Sequence, residues 1–279
     1  MLDKKVKVKE VRDLGAANYL LTLNAPEQAR LVHAGQFLML KCCEDLDANP
    51  LLRRPFSIFA IHRHARTGNP MGVEILVKDV GGGTHKLVQT RPGQALSALG
   101  PQGRPFRVPE RLASEVKFAC LVAGGVGIAA LYLLAGELMA VGVRPVLFYG
   151  AHTSGELVLR DYFERLGIAI RYSTEDGSLG DRGLVTAPLA RFLKDHAREG
   201  VRAYACGPWA MMQAAHALAV RHNVPCDVSL EARMGCSLGA CMGCVVQAAG
   251  RQAEPHFIRV CMEGPVIDSR MIDWEHPPL

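Results

Sequence analysis

Phe118-Ala119-Cys120-Leu121-Val122-Ala123-Gly124-Gly125-Val126-Gly127-Ile128 is where this chain changes character. Phe118–Val122 reads as a strand buried on both faces, and Ile128–Val141 as a helix. Between them, Gly124, Gly125 and Gly127 let the chain turn sharply and let a nucleotide phosphate approach the helix end. The spacing is not G-x-G-x-x-G, and no acidic ribose partner stands about twenty residues on, so a tight turn without a ligand accounts for the same residues. Strand and helix then alternate. Arg144–Tyr149, Ile168–Ser173 and Val201–Ala205 are expected strands; Gly155–Leu166, Thr186–Glu199 and Trp209–His222 are expected helices. Such alternation implies a parallel sheet with right-handed crossovers.

Upstream the pattern is β. Val6, Val8 and Val11 alternate in part, and Tyr19–Leu23, Gln36–Cys42, Pro55–His62 and Val73–Val80 are short apolar runs separated by Gly, Pro, Asn and Asp. Short strands with little helix between them suggest a small antiparallel barrel, closed by a tight turn at Gly100-Pro101-Gln102-Gly103. From Cys226 onward the chain is rich in cysteine and glycine and too short to bury its own core, so a metal centre must organise it. The expected class is multidomain α+β: a barrel over 1–110, an α/β domain over 111–225 and a small lobe over 226–279.

That lobe carries Cys236, Cys241, Cys244 and Cys261. C-x4-C-x2-C followed by a distant fourth cysteine is the plant-type 2Fe–2S ferredoxin spacing. Two irons need four thiolates, two each, and Gly235, Gly239 and Gly243 let backbone wrap a cluster closely. A zinc site, which usually shows two close cysteine pairs, and merely buried thiols are the alternatives.

Composition narrows the class. The 279 residues are 49% hydrophobic with a net charge of +5. The basic residues form no long run, so nucleic-acid binding is not expected. The nine cysteines do not resemble a secreted disulfide framework. Met1-Leu2-Asp3-Lys4-Lys5 leads into no apolar segment, and the longest apolar stretch, Leu121–Leu134, is interrupted by glycines. Neither a signal peptide nor a membrane span is expected, and cluster assembly favours the cytoplasm.

Two barrel segments suggest a phosphate ligand. Leu51-Leu52-Arg53-Arg54-Pro55-Phe56-Ser57-Ile58 puts two guanidinium forks at the mouth of a strand, and forks suit bidentate phosphate binding. Pro55 cannot donate to a ladder, which predicts an edge or a nearby bulge. Leu76-Val77-Lys78-Asp79-Val80-Gly81-Gly82-Gly83-Thr84 ends a strand in a glycine nest for anionic oxygens, with Thr84 as a candidate cap for a following helix. Each segment also reads as ordinary surface or turn. Cys206-Gly207-Pro208 follows the last expected strand, where parallel sheets bind ligands, so Cys206 is placed either beside a bound ring or in the core.

Arg54-Pro55-Phe56-Ser57, Gly83-Thr84, the Gly124–Gly127 loop and Cys206-Gly207-Pro208 occur in the order found in the ferredoxin–NADP reductase superfamily. Ser229-Leu230-Glu231-Ala232-Arg233-Met234-Gly235-Cys236 and Arg259-Val260-Cys261-Met262-Glu263-Gly264-Pro265-Val266 resemble, within it, the electron-transfer subunit of class 1B dihydroorotate dehydrogenase. Glu175-Asp176-Gly177-Ser178, followed by Gly180 and Gly183, also looks like that family's loop after a sheet strand. The resemblance implies FAD on the barrel, contacted by Arg54, Pro55, Phe56, Ser57, Leu76, Val77, Lys78, Gly83 and Thr84. It implies NAD beside Gly124, Gly125, Gly127, Cys206, Gly207 and Pro208, and a cluster on Cys236, Cys241, Cys244 and Cys261. Lys78 stands where an arginine is common, and Ala130 where a proline is. Implied further are an FMN-bearing dihydroorotate dehydrogenase partner in a heterotetramer, electrons passing singly through the cluster to FAD, and hydride transfer to NAD+ in pyrimidine biosynthesis. No side chain is expected to act as a general acid or base. Reductase subunits of ferredoxin:NADP oxidoreductase, sulfide dehydrogenase or hydrogenase complexes share these motifs, and a redox-sensing or zinc-binding module is the non-catalytic alternative. Glu175 and Asp176 at an expected strand end, with no arginine or lysine beside them, favour NAD over NADP. Met234, Leu238 and Met242 make the cysteine lobe the expected partner surface.

Overall fold

The computed structural model describes residues 2–42, 49–250 and 256–278. The barrel consists of β1 (Leu2–Gly15), β2 (Asn18–Asn24), β3 (Phe37–Leu40), β4 (Arg54–Arg63), β5 (Pro70–Lys78) and β6 (Ala95–Gln102). Their order is β1-β2-β5-β4-β3-β6, every pair antiparallel, and β6 returns to β1 to close it. Along β1, Val6 and Val8 point inward while Lys5, Lys7 and Lys9 face solvent, the period of a strand with one buried face. Leu21, Leu23, Leu38, Leu40, Ile58 and Ile75 fill the interior. Helix α1 (Pro26–Ala29) packs on β5.

Two local expectations change. Residues 100–102 are not a closing turn; they finish β6, because closure requires that strand to pair with both β1 and β3. Helix α2 (Gly82–Val88) begins before Thr84, which sits in its first turn. There the Thr84 hydroxyl accepts from the backbone N–H groups of Val80 (2.9 Å) and Gly81 (3.1 Å) and so ties the glycine loop to the helix.

The second unit contains β7 (Phe118–Gly124), a 3-10 segment (Gly125–Leu131), α3 (Tyr132–Ala140), β8 (Arg144–Ala151), α4 (Arg160–Arg165), β9 (Ala169–Thr174), β10 (Asp181–Arg182), α5 (Thr186–His196), β11 (Val201–Cys206) and α6 (Trp209–Arg221). Then come β12 (Cys226–Ser229), β13 (Val245–Gln247), β14 (Phe257–Arg259) and β15 (Val266–Asp268). The seven-stranded sheet has the order β10-β9-β8-β7-β11-β12-β15, parallel except for β15. The region read from sequence as a lobe of its own is thus divided. β12 and β15 extend the sheet, and the hairpin β13–β14 stands apart with the cysteine loop. Val228 and Ile267, paired across β12 and β15, are buried in the same core as β7, β11 and α6, which explains the merger.

From β7 the chain steps outward through β8, β9 and β10, then returns to the far side of β7 with β11. The switch point therefore lies between the carboxyl ends of β7 and β11, where such sheets open a crevice. Backbone meets backbone here: a β-carbon on Gly127 would lie 2.2 Å from the Cys206 carbonyl oxygen. Small residues are required, and the following turn is 3-10, not the α-helix expected from Ile128. The buried Ala129 and Ala130 let this turn press against β4 and β5 of the barrel.

Aromatic packing joins the two units. Phe59 of β4 stacks on Tyr132 (4.8 Å between centroids) and meets the edge of Tyr162 at 4.9 Å. Arg12 of β1 donates to the Tyr162 hydroxyl at 2.9 Å. Such ring pairs contribute about 0.5–1.5 kcal/mol each beyond their burial. Among the described residues no helix is long and apolar enough to cross a membrane.

Gly127→Ala is expected to destabilise the chain by about 1–3 kcal/mol through overpacking against backbone. Gly136→Ala, in α3 with nothing within 4 Å of the added carbon, is expected to stabilise it by about 0.5–1 kcal/mol. Thermal unfolding of both variants checks the contrast; equal midpoints would remove the packing argument.

Candidate functional site

Antiparallel β4 and β5 pair from Ile58–Ile75 toward the other end of the barrel, leaving Arg54–Ser57 and Leu76–Lys78 unpaired with each other. Arg54–Ser57 still pairs with β3, and Leu76–Lys78 with β2. A slot opens between the two strand ends. Pro55 lies on the side of β4 that faces it, where no ladder bond to β5 is missed, and a register shift follows between Ile58 and Ala60. An edge and a bulge, both expected from that proline, thus occur together.

The two arginines divide their tasks. Arg53 is tied to the barrel by Asp3 (3.0 Å) and the Ser97 hydroxyl (2.8 Å). Arg54 is exposed and, among the described residues, donates only to the carbonyls of Leu52 and its neighbour Arg53. A β-carbon on Gly83 would lie 3.9 Å from the Arg54 side chain, whereas Gly81 and Gly82 face open space. The exposed guanidinium and the glycine loop thus converge on one opening, as a pyrophosphate requires. Val77 is buried in the barrel interior and offers this slot only its backbone; Leu76 turns toward the sheet unit.

Beyond the slot lies a cavity of about 640 Å³ lined from the barrel by Asn18 and Lys78 and from the sheet by Gly124, Gly125, Gly207, Pro208 and other strand-end residues. Lys78 pairs with Glu156 at 3.8 Å, and His152 Nδ1 lies 3.0 Å from the Glu175 carboxylate, so both contacts stand along its rim. Gly127 and Cys206 do not line it. Gly127 is packed against the Cys206 carbonyl, and Cys206 is 1% exposed, its thiol driven far above the usual range by burial. Asn18, Glu156 and Glu231 also line the cavity; no motif marks Asn18 or Glu156, and Glu231, although within the Ser229–Cys236 run, is not among the expected site residues.

The cysteine loop is assembled by the hairpin. Val245 pairs with Arg259 across β13–β14, so Cys244 and Cys261, each just beyond the ladder, come together. The Val260 N–H donates to the Cys244 carbonyl at 3.0 Å. The Cys236 sulfur accepts from the N–H groups of Leu238 and Cys241, both at 3.3 Å. Those bonds pull its thiol down to about 6, while burial and the neighbouring Cys244 push Cys261 up to about 12. Thiols therefore meet as an outer, more accessible pair, Cys236 with Cys241, and an inner buried pair, Cys244 with Cys261. Two pairs fit a centre of two irons better than one zinc. Arg259 clamps the arrangement, forked to Glu263 and donating to the Gly239 carbonyl at 3.4 Å.

The loop also rests on the barrel. Gln102 of β6 donates to the Ser237 carbonyl at 3.4 Å, and a β-carbon on Gly235 would lie 3.9 Å from Leu52, two residues before Arg54.

Comparison with known proteins agrees with this anatomy. The family model for the iron-sulfur cluster binding domain of dihydroorotate dehydrogenase B matches residues 231–273. That for the oxidoreductase NAD-binding domain matches residues 121–217. A solved structure of the NADH-dependent reduced ferredoxin-NADP oxidoreductase superposes with a TM-score of 0.80 at 25% identity, covering 97% of this chain and 90% of that one. A ferredoxin reductase of carbazole 1,9a-dioxygenase shares the fold at a TM-score of 0.66 and 20% identity, over 80% of this chain and 67% of that one. The electron transfer subunit of dihydroorotate dehydrogenase B (NAD(+)) from Desulforamulus reducens is 36% identical over 96% of this chain and 97% of its own. That from Bacillus caldolyticus is 36% identical over 94% and 95%. The barrel, the switch-point sheet, the paired thiols and near-full-length identity together place this chain in the family of dihydroorotate dehydrogenase B electron transfer subunits.

Proposed function

We propose that this chain accepts electrons one at a time from a partner that oxidises dihydroorotate at FMN and delivers them in pairs to NAD+. The observation that carries this reading is the docking of the cysteine loop on the barrel at Leu52, beside Arg54, which puts a one-electron carrier next to a flavin slot. Cys236 and Cys241 hold one iron and Cys244 and Cys261 the other. Arg54, Gly83 and Thr84 hold the FAD pyrophosphate, with Pro55, Phe56, Ser57, Leu76, Val77 and Lys78 along the slot. Gly124, Gly125, Gly207 and Pro208 seat the dinucleotide, while Gly127 and Cys206 support them from beneath. Bound flavin supplies the store for two electrons that turns single transfers into hydride transfer. The functional division is 1–110 for flavin, 111–225 for NAD and 226–279 for the cluster, the last borrowing the sheet's edge for support.

Of the three side chains expected at the partner surface, Met234 is instead buried in the sheet core, whereas Leu238 and Met242 are exposed around the cysteine loop together with Leu51, Leu52 and Met262. This apolar, methionine-bearing patch is the proposed contact with the catalytic subunit, because electrons must enter at the cluster. The assembly is proposed as a cytoplasmic heterotetramer with equal numbers of both chains.

Arg54→Ala is expected to weaken FAD binding at least about tenfold, since a hydrogen bond to a charged group contributes roughly 1.5–3 kcal/mol. Arg53→Ala should instead lower stability while sparing flavin affinity. Flavin titration of both variants separates the roles, and identical affinities for wild type and Arg54→Ala would falsify the placement.

Cys236→Ser is expected to abolish the cluster and leave FAD bound. Iron and flavin analysis of the purified variant tests this; joint loss of both would mean that the loop and the slot are not independent.

The isolated chain is expected to reduce artificial acceptors with NADH but not to oxidise dihydroorotate. Adding the catalytic subunit should establish NAD-linked turnover, and Met242→Asp should weaken assembly in sedimentation. Dihydroorotate turnover by the chain alone would overturn the assignment.

A further inference from the structure

Cys261 sits at the centre of a turn whose two ends hold one another. The Arg259 N–H donates to the Glu263 carboxylate at 2.9 Å, and the Glu263 N–H donates back to the Arg259 carbonyl at 2.8 Å. The guanidinium then forks onto the same carboxylate, its Nε 3.2 Å from both oxygens. Its Nη1 reaches the carbonyl of Gly239 at 3.4 Å, between Cys236 and Cys241 in the first cysteine segment. One side chain thus spans both segments that supply the thiols. A β-carbon on Gly239 would lie 3.4 Å from that nitrogen and 2.9 Å from the Met262 side chain, so glycine keeps the approach open. After Glu263, the charges that act on the guanidinium are those of Cys261 and Cys244. An ion pair this exposed adds little to stability, which leaves its placement to be explained.

Reduction of a two-iron cluster adds one electron and no atom, so the charge held on its irons and sulfurs becomes more negative by one unit. A fixed positive charge beside it favours that state, and a fixed negative charge opposes it. Net charge and hydrogen bonding around the sulfurs are the means by which a protein sets such a potential. Resting on the cluster reading proposed above, we propose that the Arg259–Glu263 pair sets the reduction potential of the cluster, the guanidinium raising it and the carboxylate holding it back. Both are positioning residues: neither touches a substrate, and each acts through the cysteine segments it holds. The two side chains are 38% and 33% exposed, so salt reaches them and screens both contributions. They adjoin Met262 and, through Gly239, Leu238, two members of the patch assigned to the catalytic subunit. The control therefore stands where electrons are to enter.

Iron content and the EPR signal of the dithionite-reduced holoprotein are measured first. A chain without a two-iron centre sinks the functional reading itself. The midpoint potential of the cluster is then titrated against mediator dyes and followed by EPR. Arg259→Gln should lower it and Glu263→Gln should raise it. Each shift is expected at about tenfold in the electron-exchange equilibrium, about 59 mV for a one-electron couple. The double variant should return toward wild type, and both single shifts should shrink in concentrated salt. Arg259→Lys keeps the charge without the fork and should stay close to wild type. A clamp with no electrostatic role predicts instead shifts of one sign, with no cancellation in the double variant. Where Arg259→Gln fails to hold iron, Glu263→Gln and Arg259→Lys decide the matter. An unmoved potential in Glu263→Gln, or a lowered one in Arg259→Lys, overturns the proposal, as do shifts of the same sign in the two glutamine variants.

Discussion

Everything in this molecule hangs on one close approach, the backbone of Gly127 against the carbonyl of Cys206 at the switch point of the sheet. The ends of β7 and β11 are paired through Ala123 and Cys206, and the loops that follow them meet just beyond that pair. Here no side chain intervenes, so the loops sit on one another and their outer faces become one continuous wall of the cavity. The same contact forces the segment after Gly124 into a tight 3-10 turn that carries buried alanines under β4 and β5. Position of the barrel, shape of the cavity and burial of Cys206 all follow from it.

On the barrel side the governing feature is an interruption. β4 and β5 stop pairing after Ile58–Ile75, and the freed ends carry Arg54 on one lip and Lys78 on the other. Open backbone edges invite aggregation unless managed. This opening is narrow, each lip is paired on its other side, and the α2 loop lies close beside it. Arg53 is tied off on Asp3 and Ser97, so a single guanidinium is left facing outward.

Much of this was legible in the residues. Branched and apolar runs marked β2, β4 and β5, and alternation marked the sheet, because these elements declare themselves through periodicity. The cysteine spacing marked the cluster because chemistry requires four thiolates. What stayed hidden depends on tertiary closure. β6, as Ala95-Leu96-Ser97-Ala98-Leu99-Gly100-Pro101-Gln102, has little strand propensity and exists because the barrel must close. That β12 and β15 belong to the sheet is decided by partners far away in sequence. Gly127 and Cys206 look like ligand residues by motif, yet the loops they belong to turn them inward. Glu231 lies in the Ser229–Cys236 run, but the run does not say where its side chain goes; its place on the cavity wall comes from the pairing of β12 with β11.

The two tryptophans of the chain lie against each other. Trp209 opens α6, and Trp274, in the tail beyond β15, packs on it at 4.7 Å between centroids. The Trp209 indole N–H donates to the Trp274 carbonyl at 3.2 Å, and Trp274 in turn stacks on His216. The barrel contains neither residue. Trp209 also lines the cavity between sheet and barrel, so intrinsic tryptophan emission witnesses two things at once, the docking of the tail onto α6 and the state of that cavity. A melting curve recorded by that emission registers the tail coming off and the opening of the cavity, while the interior of the barrel, which holds no tryptophan, has to be followed by another optical signal.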